Sequence, residues 1–248
     1  MIMKAGVVRV REGGGGGGTV LLLLHGLGAT GDVWDPLARR WPGRWLAPDL
    51  PGHGGSPPLA AYSFAGLAAA VADVVPAESP VVVLGHSLGG VVGLTLAGGP
   101  LPVRAVIGLG IKVAWTDADL ERAQAVARRP VTWFASRDEA AARYLRVSGL
   151  DSLVAADDPV VDAGLVQQGG RWRLAADPAA FAPGMPDVAR LVAGSRAPVT
   201  LARGELDPMS TDEELAGLGA PAVTLPGLGH NAHVQDPELT ATLLDPYR

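Results

Sequence analysis

Residues 81–97 constrain the fold more than any other stretch of this chain. The apolar run Val81-Val82-Val83-Leu84 is followed by Gly85-His86-Ser87-Leu88-Gly89-Gly90 and then by Val91 to Ala97, a small-residue segment compatible with a helix. A serine with glycines at −2 and +2, set between a strand and a helix, is the pattern of a sharp strand-to-helix turn. The reason is steric. Such a turn forces the serine into a strained backbone conformation and tolerates only small neighbours. It lifts the hydroxyl clear of the sheet and puts it at a helix N-terminus, where backbone N–H groups favour negative charge. In a chain with 34 glycines, the same residues also read as a plain turn whose serine caps the helix. The surrounding pattern has to decide.

That pattern is strand–helix alternation. Val7 to Val10 reads as a short edge strand, and Gly13 to Gly18 as a glycine loop with no Gly-Lys-Ser/Thr to make it a phosphate cradle. Val20 to Leu24 is continuously apolar, as in a strand buried on both faces. Asp32 is placed to cap a helix running to about Trp41, and Ser63 to cap Phe64 to Val75. Trp45 to Ala47, Val81 to Leu84 and Val103 to Leu109 read as further strands. Alternation of this kind predicts an α/β fold, with a mostly parallel central sheet flanked by helices.

The rhythm breaks from Lys112 to Ser195, where no strong strand is legible and Asp117 to Arg129 and Asp138 to Val147 read as amphipathic helices. It resumes at Val199 to Ala202 and Ala222 to Leu225, with a last helix from about Pro237 to Leu244. The expected organisation is a core in two parts, residues 1–111 and 196–248, with an inserted helical cap at 112–195.

Composition excludes several classes of function. There is no cysteine, hence no disulfide or thiolate chemistry. The net charge of −5 and the lack of a basic patch argue against nucleic acid as a partner. No apolar run approaches the ~20 residues that span a bilayer, and Met1-Ile2-Met3-Lys4 lacks the layout of a signal peptide. The expected location is the cytoplasm. The sequence leaves open monomer or dimer.

The five histidines, His25, His53, His86, His230 and His233, all fall at or near predicted strand ends, where open α/β sheets bind ligands. A serine nucleophile needs a base, and the base needs an acid that fixes its tautomer. After Ser87 the available bases are His230, in the loop Pro226-Gly227-Leu228-Gly229-His230, and His233 three residues on. His230 is the preferred base, because its glycines let the loop reach across; His233 reads as a supporting or helix-start residue. The acid is expected at the end of the preceding strand. Asp207 is the first choice, Glu205 the second, and Asp117 and Asp119 weaker ones. Asp207 also reads as a simple turn residue before Pro208. The oxyanion donors are expected to be the N–H groups of Leu88 and of Leu27, in His25-Gly26-Leu27-Gly28. His-x-x-His at 230–233 has no carboxylate or cysteine cluster to complete a metal site.

A second motif competes. Gly26-Leu27-Gly28-Ala29-Thr30-Gly31 spells G-x-G-x-x-G after a strand, with Asp49 about where a ribose-binding acid would sit. His25 has no role in that reading, and neither does the glycine-rich turn that follows Asp49.

Taken together, His25-Gly26, Asp49-Leu50-Pro51-Gly52-His53-Gly54-Gly55-Ser56, Gly85-His86-Ser87-Leu88-Gly89-Gly90 and Gly229-His230 resemble the α/β-hydrolase superfamily, in its order and over nearly the whole chain. The resemblance implies Ser87 as nucleophile, Asp207 as acid, His230 as base, Leu27 and Leu88 as oxyanion donors, and a cap over the site. It implies no cofactor and no metal. A serine nucleophile argues against the dehalogenases and epoxide hydrolases of the superfamily, which carry aspartate there. The nearest likeness is to small microbial esterases and lactonases, so the expected partner is a small-molecule ester or lactone of small to medium acyl size. Two alternatives remain: a carbon–carbon bond hydrolase or non-hydrolytic lyase on the same triad, and a small-molecule receptor with slow or no turnover. Trp115, Trp133, Phe134 and Tyr144 are the candidate substrate-binding residues of the cap.

Overall fold

The computed structural model describes residues 8–16 and 18–248. Nine strands are defined among them: β1 (Val10–Gly13), β2 (Val20–Leu24), β3 (Trp45–Pro48), β4 (Val81–His86), β5 (Val103–Leu109), β6 (Leu165–Gln168), β7 (Arg171–Leu174), β8 (Val199–Gly204) and β9 (Ala222–Leu225). Seven form one sheet in the order β1-β3-β2-β4-β5-β8-β9. All pairings in it are parallel except that of β1 with β3. The central strands are apolar because helices cover both faces: β2 and β4 are buried throughout. After β2 the chain moves outward to β3, then returns to the other side of β2 as β4. A crevice opens at such a reversal, beyond the carboxyl ends of the two strands. The His25–Gly28 loop and Ser87 both lie there.

The helix Leu88–Ala97 is buried at nine of its ten positions. Its glycines make that possible: a Cβ on Gly93 would come within 2.9 Å of Val83 Cγ1 in the sheet. The helix Phe64–Ala72 starts as expected, Ser63 Oγ accepting the Gly66 N–H at 3.0 Å.

Several expectations are corrected. The edge strand is Val10–Gly13, and Val7 lies outside the described residues. Asp32 caps no helix. It sits inside a 3-10 turn, Gly31–Trp34, that leads into the short helix Asp35–Ala38. Its carboxylate pairs with Arg9 and Arg11, which ties β1 to the core. The last helix ends at Ala241 and continues as a 3-10 segment to Tyr247.

Residues 112–195 are not wholly helical. Helices Asp117–Ala127 and Arg137–Ser148 each begin with a capping box, Thr116 with Asp119 and Ser136 with Glu139. Beyond them β6 and β7 form an antiparallel hairpin. Its turn is Gly169-Gly170, with φ of 57° and 76°, values that two-residue hairpin turns require and glycine supplies at little cost. This region is seated on the core by backbone bonds: Gly54 N–H to Ala175 O at 2.6 Å and Asp177 N–H to Gly52 O at 2.8 Å. Tyr62 donates its hydroxyl to Asp177 Oδ2 at 2.8 Å across the same seam.

Candidate active site

β4 ends in the turn that the glycines predicted. Ser87 has φ 50° and ψ −113°, a conformation that a residue with a Cβ rarely holds. Its neighbours could carry no side chain. A Cβ on Gly85 would lie 2.3 Å from Gly89 O, and one on Gly89 would lie 2.2 Å from Leu24 O. The turn is pinned on the other side by Ser87 N–H donating to Leu109 O at 2.8 Å. No hydrogen bond engages the Ser87 side chain as a cap, so the capping alternative does not describe it.

Asp207 follows β8, with no side-chain surface exposed. Its Oδ1 accepts the Met209 N–H at 2.9 Å, and His230 Nδ1 lies 3.1 Å from Oδ1 and 3.0 Å from Oδ2. A carboxylate only accepts, so Nδ1 carries the hydrogen and Nε2 of the neutral ring is the free base. Gly110 leaves room for the pair: a Cβ there would lie 3.0 Å from Asp207 Oδ2 and 3.2 Å from His230 Nδ1. Arg203, which the sequence reading missed, braces the turn. Its Nη2 donates to the carbonyls of Glu205 and Asp207 and its Nη1 to Asp212.

The other acids are elsewhere. Glu205 is exposed and accepts the Gly227 N–H at 2.8 Å. Asp119 belongs to a capping box and pairs with Lys112 and Arg122; Asp117 is in the same helix turn. Asp49 is fully buried and committed: it accepts from Gly31 N, Gly55 N and Arg9 Nη1. It has no face for a ribose, which removes the dinucleotide reading.

Leu88 N is at the first position of its helix, where no intrahelical acceptor exists. Leu27 N follows Gly26 in the facing loop. Neither N–H donates to a backbone carbonyl among the described residues. The loop is held by His25, whose Nε2 accepts the Leu50 N–H at 2.8 Å while Nδ1 lies 2.8 Å from Gly26 O. A Cβ on Gly26 would come 3.5 Å from Ser87 Cβ, so this backbone passes directly over the serine.

His25, His53, His86 and His233 are all buried. Burial pushes His25 and His86 below the usual imidazole value, and His53 and His233 down to about 3.

The candidate substrate-binding residues of segment 112–195 separate. Phe134 lines an apolar cavity with Val147, Leu174 and Phe181, and Arg129 and Arg143 are also on its wall. Val147 touches the loop after β2, since a Cβ on Gly28 would lie 2.8 Å from Val147 Cγ1. Phe181 stacks on His53 at 6.4 Å. Trp133 lines a second cavity, beside Gly52, Gly54 and Arg173. Tyr144 is buried in the packed core against Gly164, and Trp115 donates to Lys112 O; neither lines these cavities. Among the described residues no group of three or more His, Asp or Glu could hold a metal ion, and no helix is long and apolar enough to cross a membrane.

The sheet order, the strained serine and the buried Asp–His pair define the architecture of a hydrolase. The chain belongs to the Alpha/beta hydrolase family, whose model matches residues 21–243. It is 44% identical over 77 residues to a pimeloyl-acyl-carrier-protein methyl ester esterase of Neisseria meningitidis, covering 30% of this chain and 24% of that protein. It is 36% identical over 146 residues to lipase LipV of Mycobacterium tuberculosis, covering 57% and 54%. The matches thus span about half or less of these relatives' lengths. Among solved structures, E-2-(acetamidomethylene)succinate hydrolase superposes with a TM-score of 0.81 at 25% identity, over 97% of this chain and 94% of that one. A thioesterase domain from the curacin biosynthetic pathway gives 0.77 at 21%, over 96% and 94%, a likeness of fold alone.

Proposed function

We propose that this protein is a serine hydrolase of carboxylic esters, acting on a small to medium acyl ester or lactone through an acyl-enzyme. The observation that carries the reading is the buried Asp207 carboxylate 3.0 Å from His230 Nδ1. It leaves Nε2 as the base that the reading assigns to Ser87, whose backbone is strained. A pure binding protein has no use for a buried acid that fixes an imidazole tautomer. The esterase and lipase relatives agree with this chemistry.

In the proposed sequence, Ser87 Oγ attacks the ester carbonyl carbon while His230 Nε2 takes its proton. Asp207 stabilises the resulting imidazolium. The carbonyl oxygen becomes an oxyanion and accepts from the N–H groups of Leu27 and Leu88. The tetrahedral species collapses. The alkoxide leaves with the proton from His230 Nε2, and the acyl group stays on Oγ. Water then attacks the acyl-enzyme, giving its proton to His230. Collapse releases the carboxylic acid and returns the proton to Ser87. No metal or organic cofactor enters these steps. The cavity lined by Phe134, Val147, Leu174 and Phe181 is the proposed acyl site.

The test is hydrolysis of p-nitrophenyl butyrate by wild type and Ser87→Ala. The expected result is turnover that falls at least ~10³-fold in the variant, since covalent catalysis is lost. Equal rates in the two proteins would overturn the assignment of Ser87.

A further inference from the structure

Of the five histidines at the strand ends, the proposed mechanism uses one. His25 is accounted for by the loop it braces. His53 is accounted for by its place under the cap, 5.1 Å from His25 and stacked on Phe181. His86 and His233 remain. Both rings pack with their centroids 4.5 Å apart, and His86 is also 4.5 Å from His230.

His86 is the last residue of β4 and precedes Ser87. Its place is fixed by pairing with Leu109 of β5. Its Nε2 lies 2.9 Å from the backbone oxygen of His230. A carbonyl can only accept, so Nε2 carries the hydrogen, and Nδ1 of the neutral ring is bare. That bare edge lies against the loop holding Leu27: a Cβ on Gly26 would come within 2.5 Å of His86 Nδ1. No backbone N–H donates to His230 O among the described residues. The loop carrying the base therefore has its carbonyl held by this one side chain.

We propose that His86 is a positioning residue, which as the neutral Nε2–H tautomer fixes the His230 carbonyl and joins the serine turn, the Leu27 loop and the base loop into one unit. The inference rests on the reading of Ser87 and His230 given above. A leucine or phenylalanine would fill the same space. What calls for histidine is a donor aimed at a carbonyl from a ring whose opposite edge must carry no hydrogen against Gly26. The surroundings keep the ring neutral. Burial is the chief cause that disfavours its charge, a proton on neighbouring His233, His230 or His25 would disfavour it further, and only the His230 carbonyl pulls the other way, with no carboxylate acting on the ring. A neutral His86 does not compete with His230 for the travelling proton.

The test compares His86→Gln, His86→Asn and His86→Leu. The Gln amide nitrogen is as many bonds from Cβ as the His Nε2, so Gln can still donate to His230 O; Asn falls one bond short. Misplacing the base slows chemistry on the order of 10²-fold. That loss is expected in kcat for Asn and Leu, with KM nearly unchanged and with Gln recovering most of the rate. Unimpaired kcat in Asn and Leu would overturn the proposal, as would an equal loss in all three. Nitrogen-15 NMR of histidine in the wild type gives a readout free of turnover and of variant folding. It should find His86 as the Nε2–H tautomer from pH 5 to 8, as expected for a buried neutral ring. A Nδ1–H or doubly protonated ring would sink the idea. If the wild type turns over no ester, the Ser87 reading fails, while the NMR result still decides the role of His86.

Discussion

Asn231 Nδ2 donates to Gly149 O at 2.9 Å and to Ser148 O at 3.2 Å. The residue after His230 thereby satisfies carbonyls that the end of helix Arg137–Ser148 leaves without partners. The same helix presents Val147 to Gly28. Replacing Asn231 with Ala strands the Ser148 carbonyl in a buried setting, a cost of about 1–3 kcal/mol, while the exposed Gly149 carbonyl can turn to water. Urea unfolding should register that loss. Kinetics should show KM rising more than kcat falls, because the cap loses its seat while the Asp207–His230 pair is kept. A loss confined to kcat would mean that Asn231 acts on the base and not on the cap.

Asp207 and Glu205 are two residues apart, yet their prospects differ completely. Asp207→Asn keeps the shape but removes the acceptor that sets the His230 tautomer, so kcat should drop by about 10⁴-fold. Glu205→Gln alters an exposed contact to Gly227 and should retain most of the activity. The pair of variants assayed on one ester separates the acid from its neighbour. The reverse ranking would reassign it.

Four buried neutral histidines make stability depend on pH. In the folded chain His53 and His233 are held down to about 3, and His25 and His86 are lowered as well. Unfolded, each titrates near pH 6.5. Below that value the unfolded chain binds protons that the folded chain excludes. Stability is therefore complete above about pH 6.5 and declines as pH falls toward 3. At pH 5 each of His53 and His233 should remove ~2 kcal/mol. Urea unfolding at pH 7 and pH 5 measures this. His53→Phe should show a smaller loss between the two pH values than the wild type, by roughly that same ~2 kcal/mol. Identical losses would argue against a neutral His53.

The two cavities lined by residues of segment 112–195 make distinct predictions for neighbouring aromatics. Phe134 lines the one whose wall, Val147, touches Gly28; Trp133 lines the other. Phe134→Ala should shift preference toward longer acyl chains in a series of p-nitrophenyl esters. Trp133→Ala should leave the order of preference unchanged. The opposite outcome would assign the acyl group to the second cavity.

Some of this was legible in the sequence because the physical demand is local. Gly85 and Gly89 are glycine because backbone carbonyls stand where a Cβ would be, and that demand shows as a five-residue pattern. The runs of β2 and β4 are apolar because both faces are covered. The β6–β7 hairpin escaped notice because its strands are only four residues each and Gly169-Gly170 is the single strong cue. Asp32 looked like a cap because its partners, Arg9 just before β1 and Arg11 within it, lie some twenty residues back in the chain. His86 was invisible as a support for the same reason, since it meets a carbonyl 144 positions away, whereas the partners of Arg203 are local but include two backbone carbonyls, which leave no mark in the sequence. Tyr144 and Phe134 are both bulky cap aromatics, and composition cannot say which one faces a cavity. The fold thus reads from local periodicity, and the site's scaffolding from contacts that only the closed structure creates.

β5 and β8 are hydrogen-bonded neighbours, but all of residues 112–195 lies between them in the chain. Ser87 sits on the half of the sheet that emerges first during synthesis, while Asp207 and His230 arrive on its last strands. A chain that stopped before β8 would carry Ser87 without Asp207 or His230. On the proposed reading, Ser87, Asp207 and His230 come together only once β8 has paired with β5 and the loop after β9 is in place, so the proposed activity requires nearly the whole sheet.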